Sequence, residues 1–280
     1  MLAAPGLRAA LCAGALLVGG CGQVASAPDA APTHDAPADA AEVPDAPPAL
    51  GSQARPAKDC AELRDMVGPN SGVYWVRNPD GVNPAFDVYC EQVLNGGGWA
   101  MVLNSVRSPE GHTTEFWQLE YAVRFNRIGT AAPDQNYYNG FLYQVGTTYM
   151  DVFVDLDAKA AVAAVMTTTG IDRTTMKFGN PMLMLGDAGV FNNQFAAGWA
   201  AKDYDGDPSD GNCASSFANV AQHYGGCWVY NLGADADQPV LDGGVGPHVY
   251  NPVLAGLGLA AQPGGGSYSQ VKRIARFTRW

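Results

Sequence analysis

The chain contains six cysteines, and their distribution limits the folds open to it more than any other feature. Cys12 and Cys21 fall at the start, whereas Cys60, Cys90, Cys213 and Cys227 lie beyond residue 58. An even number of cysteines in an exported chain implies a disulfide framework. Four cysteines allow three pairings. The expected one is Cys60–Cys90 with Cys213–Cys227, because both bridges close short local loops, each stabilising by roughly 3–4 kcal/mol through lost chain entropy. The competing metal reading has little support: there is no Cys-x-x-Cys, and the histidines at 34, 112, 223 and 248 are scattered.

The N-terminus supplies the case for export. Residues 1–20 read as a secretion signal, with Arg8 as the sole charge and an apolar run over 9–20. That run is too short to cross a bilayer, which takes about 20 residues. It ends Leu17-Val18-Gly19-Gly20-Cys21, which resembles a bacterial lipobox. The resemblance implies that Cys21 is lipidated and becomes the mature N-terminus; an ordinary signal peptide or an uncleaved anchor is the alternative. Residues 21–57 are dominated by Ala, Pro and Asp and hold few large apolar side chains. Such a segment cannot bury enough surface to offset its ordering entropy. Extended at about 3 Å per residue, it would act as a tether on the order of 100 Å long. The expected location is therefore a bacterial membrane, outer membrane or cell surface, reached through a lipid.

The formal charge is −11, from 16 basic against 27 acidic residues. A surface of that sign repels phosphate backbones and excludes nucleic acid as the expected partner. It suits divalent cations where carboxylates gather.

At Asp59 the character changes, and 58–280 is expected to be the globular domain. Asp59-Cys60-Ala61-Glu62 has the pattern of a capping box, with Cys60, Leu63 and Met66 or Val67 at helical spacing and Gly68-Pro69 as the stop. Strands are expected at 72–76, 86–90 and 99–103, separated by turns at Asn78-Pro79-Asp80-Gly81 and Asn95-Gly96-Gly97-Gly98. Over 149–156, Met150, Val152, Val154 and Leu156 alternate with Asp151 and Asp155, which predicts a half-buried strand. A closing strand is expected over 271–280. The fold class is α+β: a twisted, mostly antiparallel sheet with short helices and long loops.

These residues also carry a resemblance. Cys60-Ala61-Glu62-Leu63, Ser71-Gly72-Val73-Tyr74-Trp75, Val88-Tyr89-Cys90 and Gly96-Gly97-Gly98-Trp99 resemble, in order, the opening of the fibrinogen C-terminal-like domain. Downstream, Asp203-Tyr204-Asp205-Gly206-Asp207 with Gly211-Asn212-Cys213-Ala214 resembles that family's calcium loop, and Gly225-Gly226-Cys227-Trp228-Val229-Tyr230-Asn231 resembles the segment after it. The motifs bracket 58–280; the stretch 105–195 matches poorly.

The resemblance implies an extracellular recognition domain, since the family includes ficolins and tachylectins that bind acetylated sugars. It implies Ca²⁺ ligands at the carboxylates of Asp205 and Asp207 and the carbonyls of Ser209 and Gly211, with Asp203 in the shell or just outside it. It points to Trp228, Tyr230 and His223 as candidate ligand contacts, with His248 as another histidine in reach. One departure matters: the family's last cysteine follows the Tyr-Asn pair and precedes a His, whereas Cys227 stands before Trp228 and Asn231 is followed by Leu232. The family's pocket geometry therefore does not carry over with the cysteine.

No catalytic motif is present. Gly-x-Ser-x-Gly, His-Glu-x-x-His and phosphate loops are absent, and Gly256-Leu257-Gly258-Leu259-Ala260-Ala261 opens no βαβ unit before Pro263-Gly264 breaks it. The expectation is a non-enzymatic lectin or adhesin for a glycan or an acetylated small molecule. The alternative is a structural module that binds an extracellular protein and has lost the small-molecule pocket.

Overall fold

Sheet formation begins at the residues whose β-branched and aromatic side chains favour it. In the computed structural model, residues 47–107, 113–234, 241–242, 244–264 and 266–280 are described. The proposed signal, Cys12, Cys21, His34, most of the tether and His112 lie outside the described residues. Helix α1 (Cys60–Val67) is capped by Asp59, whose Oδ1 accepts the Glu62 N–H at 2.8 Å. The Glu62 carboxylate returns to the N–H of Lys58, one residue before the cap. Gly68, at φ 98°, ends the helix where a side chain would be strained. Only Cys60 and Leu63 face inward; Met66 is 72% exposed and Val67 is also exposed, because α1 covers one corner of the sheet rather than lying in it.

Strands β1 (Gly72–Val76), β2 (Phe86–Glu91) and β3 (Trp99–Val106) follow as an antiparallel meander. The Cys60–Cys90 disulfide fastens α1 to β2. Short strands β4 (Arg127–Gly129) and β5 (Tyr137–Asn139) attach beside β3, flanked by helices α2 (Thr113–Trp117) and α3 (Phe141–Val145). Strands β6 (Thr148–Val154), β7 (Ala160–Thr167) and β8 (Met182–Gly186) extend the sheet, and helix α4 (Ala188–Gln194) packs on β7. Two smaller sheets form the remainder. One pairs β9 (Gly198–Ala200) with β10 (Gln222–Tyr224), with helix α5 (Cys213–Ser216) between them in sequence. The other has the order β11 (Tyr230–Ala234), β13 (Gly246–Tyr250), β14 (Tyr268–Gln270), β12 (Leu241–Asp242), with helix α6 (Asn251–Gly256) after β13.

The final strand, β15 (Arg273–Arg279), does not close an edge. It inserts between β3 and β6, so the main sheet runs β1-β2-β3-β15-β6-β7-β8. The chain's last residues thus fill the centre of the largest sheet, antiparallel to both neighbours.

That placement changes the reading of β6. Both of its faces are covered: Met150 and Val152 join a cluster with Trp99, Met101 and Phe277, while Tyr149 and Phe153 join the larger core. Asp151 is therefore buried, not half-exposed. Its charge is sustained by Arg276 on the adjacent strand, with Nε to Oδ1 at 2.7 Å and Nη2 to Oδ2 at 2.8 Å. Asp155 is buried as well and accepts the N–H groups of Lys159 and Ala260, both at 2.9 Å.

Contacts with the sheet also begin before residue 58. The Trp75 N–H reaches the Gly51 carbonyl at 2.7 Å, Ala57 makes a parallel bridge with Val76, and Ala57 is buried. The segment 51–57 thus lies along β1, because that strand is the sheet's open edge and its backbone groups need partners.

Candidate recognition site

The acidic loop after β9 is fixed by its own backbone. Gly206 lies so close to β9 that a Cβ there would sit 2.4 Å from the Trp199 carbonyl oxygen, and a Cβ on Gly198 would meet the Gly206 carbonyl at 1.6 Å. Glycine at both positions is what lets the loop fold down onto the strand. The Asp207 carboxylate then spans the loop: Oδ1 accepts from the Ser209 N–H and Oδ2 from the Cys213 N–H, both at 2.9 Å. Asn212 caps α5 by accepting from the Ser215 N–H, and its amide donates to the carbonyls of Ala201 and Tyr204.

The loop's other carboxylates have different roles. Asp203 turns away, accepting the Tyr121 N–H at 2.9 Å, and the rings of Tyr121 and Tyr204 stack 3.8 Å apart. A Lys202–Glu120 ion pair at 3.1 Å reinforces the same contact. Asp205 is exposed and has no hydrogen bond or ion pair among the described residues. Among the described residues the carbonyls of Ser209 and Gly211 accept no main-chain hydrogen bond. The loop therefore offers hard oxygens from Asp205, Asp207, Ser209 and Gly211, a donor set of the kind Ca²⁺ takes. Asp203 is engaged elsewhere. No cluster of three or more metal-binding side chains occurs among the described residues, so any such ion would depend on carbonyls and water as much as on carboxylates.

Beside the loop lies a small aromatic core. Cys213, Ala214, Tyr224 and Trp228 pack together with Ala200, and Phe217, Cys227 and Tyr268 lean on them. Cys213 is buried, Cys227 is partly exposed, and their sulfurs are 2.6 Å apart as two thiols. Cys227 takes φ 57°, a left-handed conformation, so a strained backbone presents its sulfur to Cys213. Trp228, 5% exposed, lies edge-on to Phe217 and 4.2 Å from the ring of Tyr268. Tyr268 in turn meets Tyr250 across the β13–β14 ladder, at 5.2 Å, and Tyr250 is 37% exposed. The result is an aromatic shelf that runs from the Cys213 and Cys227 thiols out to solvent.

Comparison with solved structures identifies the fold. The chain matches the fibrinogen-like globe domain of human ANGPTL6 with a TM-score of 0.57 and 24% identity, over 80% of this chain and 95% of that one. The fold is that of a fibrinogen-like globe domain. Among curated proteins, human angiopoietin-related protein 6 is 37% identical over 94 residues, which make up 32% of this chain and only 17% of that protein's length. No family model matches the chain.

Within the fibrinogen-like fold, two of the three expected ligand contacts lie in the core. Tyr230 is buried, donates to Asp151 Oδ2 at 2.9 Å and accepts from Arg276 Nη2 at 2.9 Å. His223 is 1% exposed, stacks on Phe178 with centroids 4.9 Å apart, and hydrogen-bonds the Met176 carbonyl through Nε2 at 2.8 Å. Burial drives its pKa down to about 3, with Arg276 adding to the shift, so the ring is neutral. His248 is buried too. Trp228 alone of the three lies on the shelf. Sequence reading passed over Tyr250, Tyr268 and Phe217. Their signal was weak, since the two tyrosines are brought together by strand pairing across a long loop rather than by any spacing in the chain.

Proposed function

We propose that the chain is an exported, lipid-anchored recognition module without catalytic activity, and that its aromatic shelf engages a glycan or an acetylated small ligand beside a calcium-binding loop. The observation that carries this reading is the junction of loop and shelf on one small core, where Asp207 holds the Cys213 N–H and Cys213 packs with Trp228. Aromatic faces bury large apolar area with little loss of conformational freedom, and they suit the apolar face of a sugar or a methyl group. Calcium at Asp205, Asp207, Ser209 and Gly211 would hold the loop against that core and supply a charge near the shelf's edge. A Cys213–Cys227 disulfide would lock the same corner. Lipid at Cys21 would place the domain at a membrane surface.

A second reading has its own support. The histidines that could stand in for the family's pocket corner, His223 and His248, are both buried, which favours a flat contact with an extracellular protein over a closed small-molecule pocket. A glycan array probed with the full chain, with and without calcium, separates the two. Calcium-dependent binding to a defined set of glycans, weakened by Tyr250→Ala, supports the lectin reading. An array that stays blank in both conditions leaves the protein-binding module as the function.

A further inference from the structure

Away from the shelf, the end of the main sheet carries a cavity of about 380 Å³. It opens where β15 begins and β3 and β6 end, because Arg273 sits opposite both Val106 and Val154. The ladder continues one step further: the Arg107 N–H meets the Lys272 carbonyl at 3.0 Å and the Lys272 N–H meets the Val154 carbonyl at 2.9 Å. Among the described residues, three cations, Arg107, Lys272 and Arg273, thus line one cavity against one lining carboxylate, Asp134. This occurs in a protein of net charge −11. Among the described residues none of the three is in an ion pair.

Arg273 is the most telling of them. It is half-buried, its guanidinium 5.8 Å and 5.7 Å from the ring centroids of Tyr89 and Phe277, and burial lowers its pKa from the usual guanidinium value. The other buried arginine, Arg276, has its carboxylate in Asp151. Arg273 instead binds the Asn104 amide oxygen through Nε and makes only a long 3.6 Å contact to the Met101 sulfur through Nη2. Glu91, a carboxylate whose charge it feels, is occupied by the Ser71 hydroxyl and the N–H groups of Val93 and Leu94. Asn104 also grips the cavity's rim, donating to the carbonyls of Ala132, Pro133 and Gln135. A half-buried cation braced by Asn104, with two exposed cations lining the same cavity, is an arrangement whose desolvation cost an anion would offset.

We propose that this cavity binds a compact ligand carrying an oxyanion, a carboxylate or a sulfate, with the anion held by Arg107, Lys272 and Arg273 and the apolar side of the ligand against Val106 and Val154. The site is independent of the aromatic shelf and of calcium. Its test is calorimetric titration of the full chain with glucuronate and with glucose 6-sulfate, using glucose as the neutral control. At least one charged probe saturates at one per chain while glucose does not, and which one saturates gives the geometry of the anion. The double variant Arg107→Gln, Lys272→Met, altering two exposed side chains, weakens that binding tenfold or more. Arg77→Gln, an exposed cation outside the cavity, leaves it unchanged. Charged probes that bind no better than glucose, or an equal loss in all variants, would overturn the proposal.

Discussion

Replacing Arg276 by methionine tests the central claim about how this sheet is held together. Arg276 and Asp151 form a two-pronged pair on adjacent central strands, both under 2% exposed. Tyr230 and Tyr143 complete the network, with Tyr143 Oη accepting from Arg276 Nη1 at 3.2 Å. Burial opposes the arginine's charge, but Asp151 and the two tyrosines outweigh it and hold its pKa well above the usual value. Arg276→Met leaves the Asp151 carboxylate buried with the Tyr230 hydroxyl as its remaining partner, and breaking such a pair costs about 3–5 kcal/mol. For a domain of this size each kcal/mol shifts Tm by about 2–4 °C, so the loss should be roughly 6–20 °C by calorimetry in oxidising buffer. The double variant Asp151→Leu, Arg276→Met removes both charges and should recover most of that loss, because the desolvation penalty disappears with the pair. A single variant that loses less than about 1 kcal/mol, or a double variant that loses the sum of the two singles, would refute the argument.

Three further outcomes follow from the geometry. His223 has a folded pKa near 3 against about 6.5 in the unfolded chain, so on acidification the unfolded state takes up the proton first. Stability should therefore fall by about 1.4 kcal/mol per pH unit below 6.5 down toward 3; His223→Phe should flatten this component between pH 6.5 and 4.5, and an unchanged pH profile would count against the buried neutral ring. The Cys60–Cys90 bridge spans 30 residues and, by chain entropy, Cys60→Ser should cost about 4 kcal/mol, read as a drop in the urea midpoint that reducing agent reproduces in the wild type. Calcium in hundredfold excess over its dissociation constant should stabilise the domain by about 2.7 kcal/mol. Asp205→Ala should abolish that gain while leaving Tm in EGTA untouched, since Asp205 has no hydrogen bond or ion pair among the described residues; Asp207→Ala should lower Tm even in EGTA, because it releases the Ser209 and Cys213 N–H groups. Identical melting in EGTA and in millimolar calcium would remove the ion from the account.

Much of the local structure was legible because its causes are local. Asp59 and Gly68 bound α1 by capping and backbone freedom, and β1, β2 and β3 fall where β-branched and aromatic residues gather between turns. The Cys60–Cys90 pairing followed from a short loop. The shelf was less so, since Trp228 lies in a motif but its partners Tyr250 and Tyr268 reach it only through the β13–β14 pairing.

The sequence by itself determined where α1, β1, β2 and β3 begin, which cysteines near each other could pair, and that the chain is acidic. These depend on contacts a few residues apart or on composition. The tertiary structure alone decided that 273–279 lies at the centre of the sheet and not at its edge. It decided that Asp151, with the alternation of a surface residue, is buried, and that Tyr230 and His223 serve the core while Arg273 is in no ion pair among the described residues. A period-two pattern fixes which side of a strand a residue takes but not what covers that side. The covering here comes from segments more than a hundred residues away, as Asp151 and Arg276 illustrate with 125 positions between them.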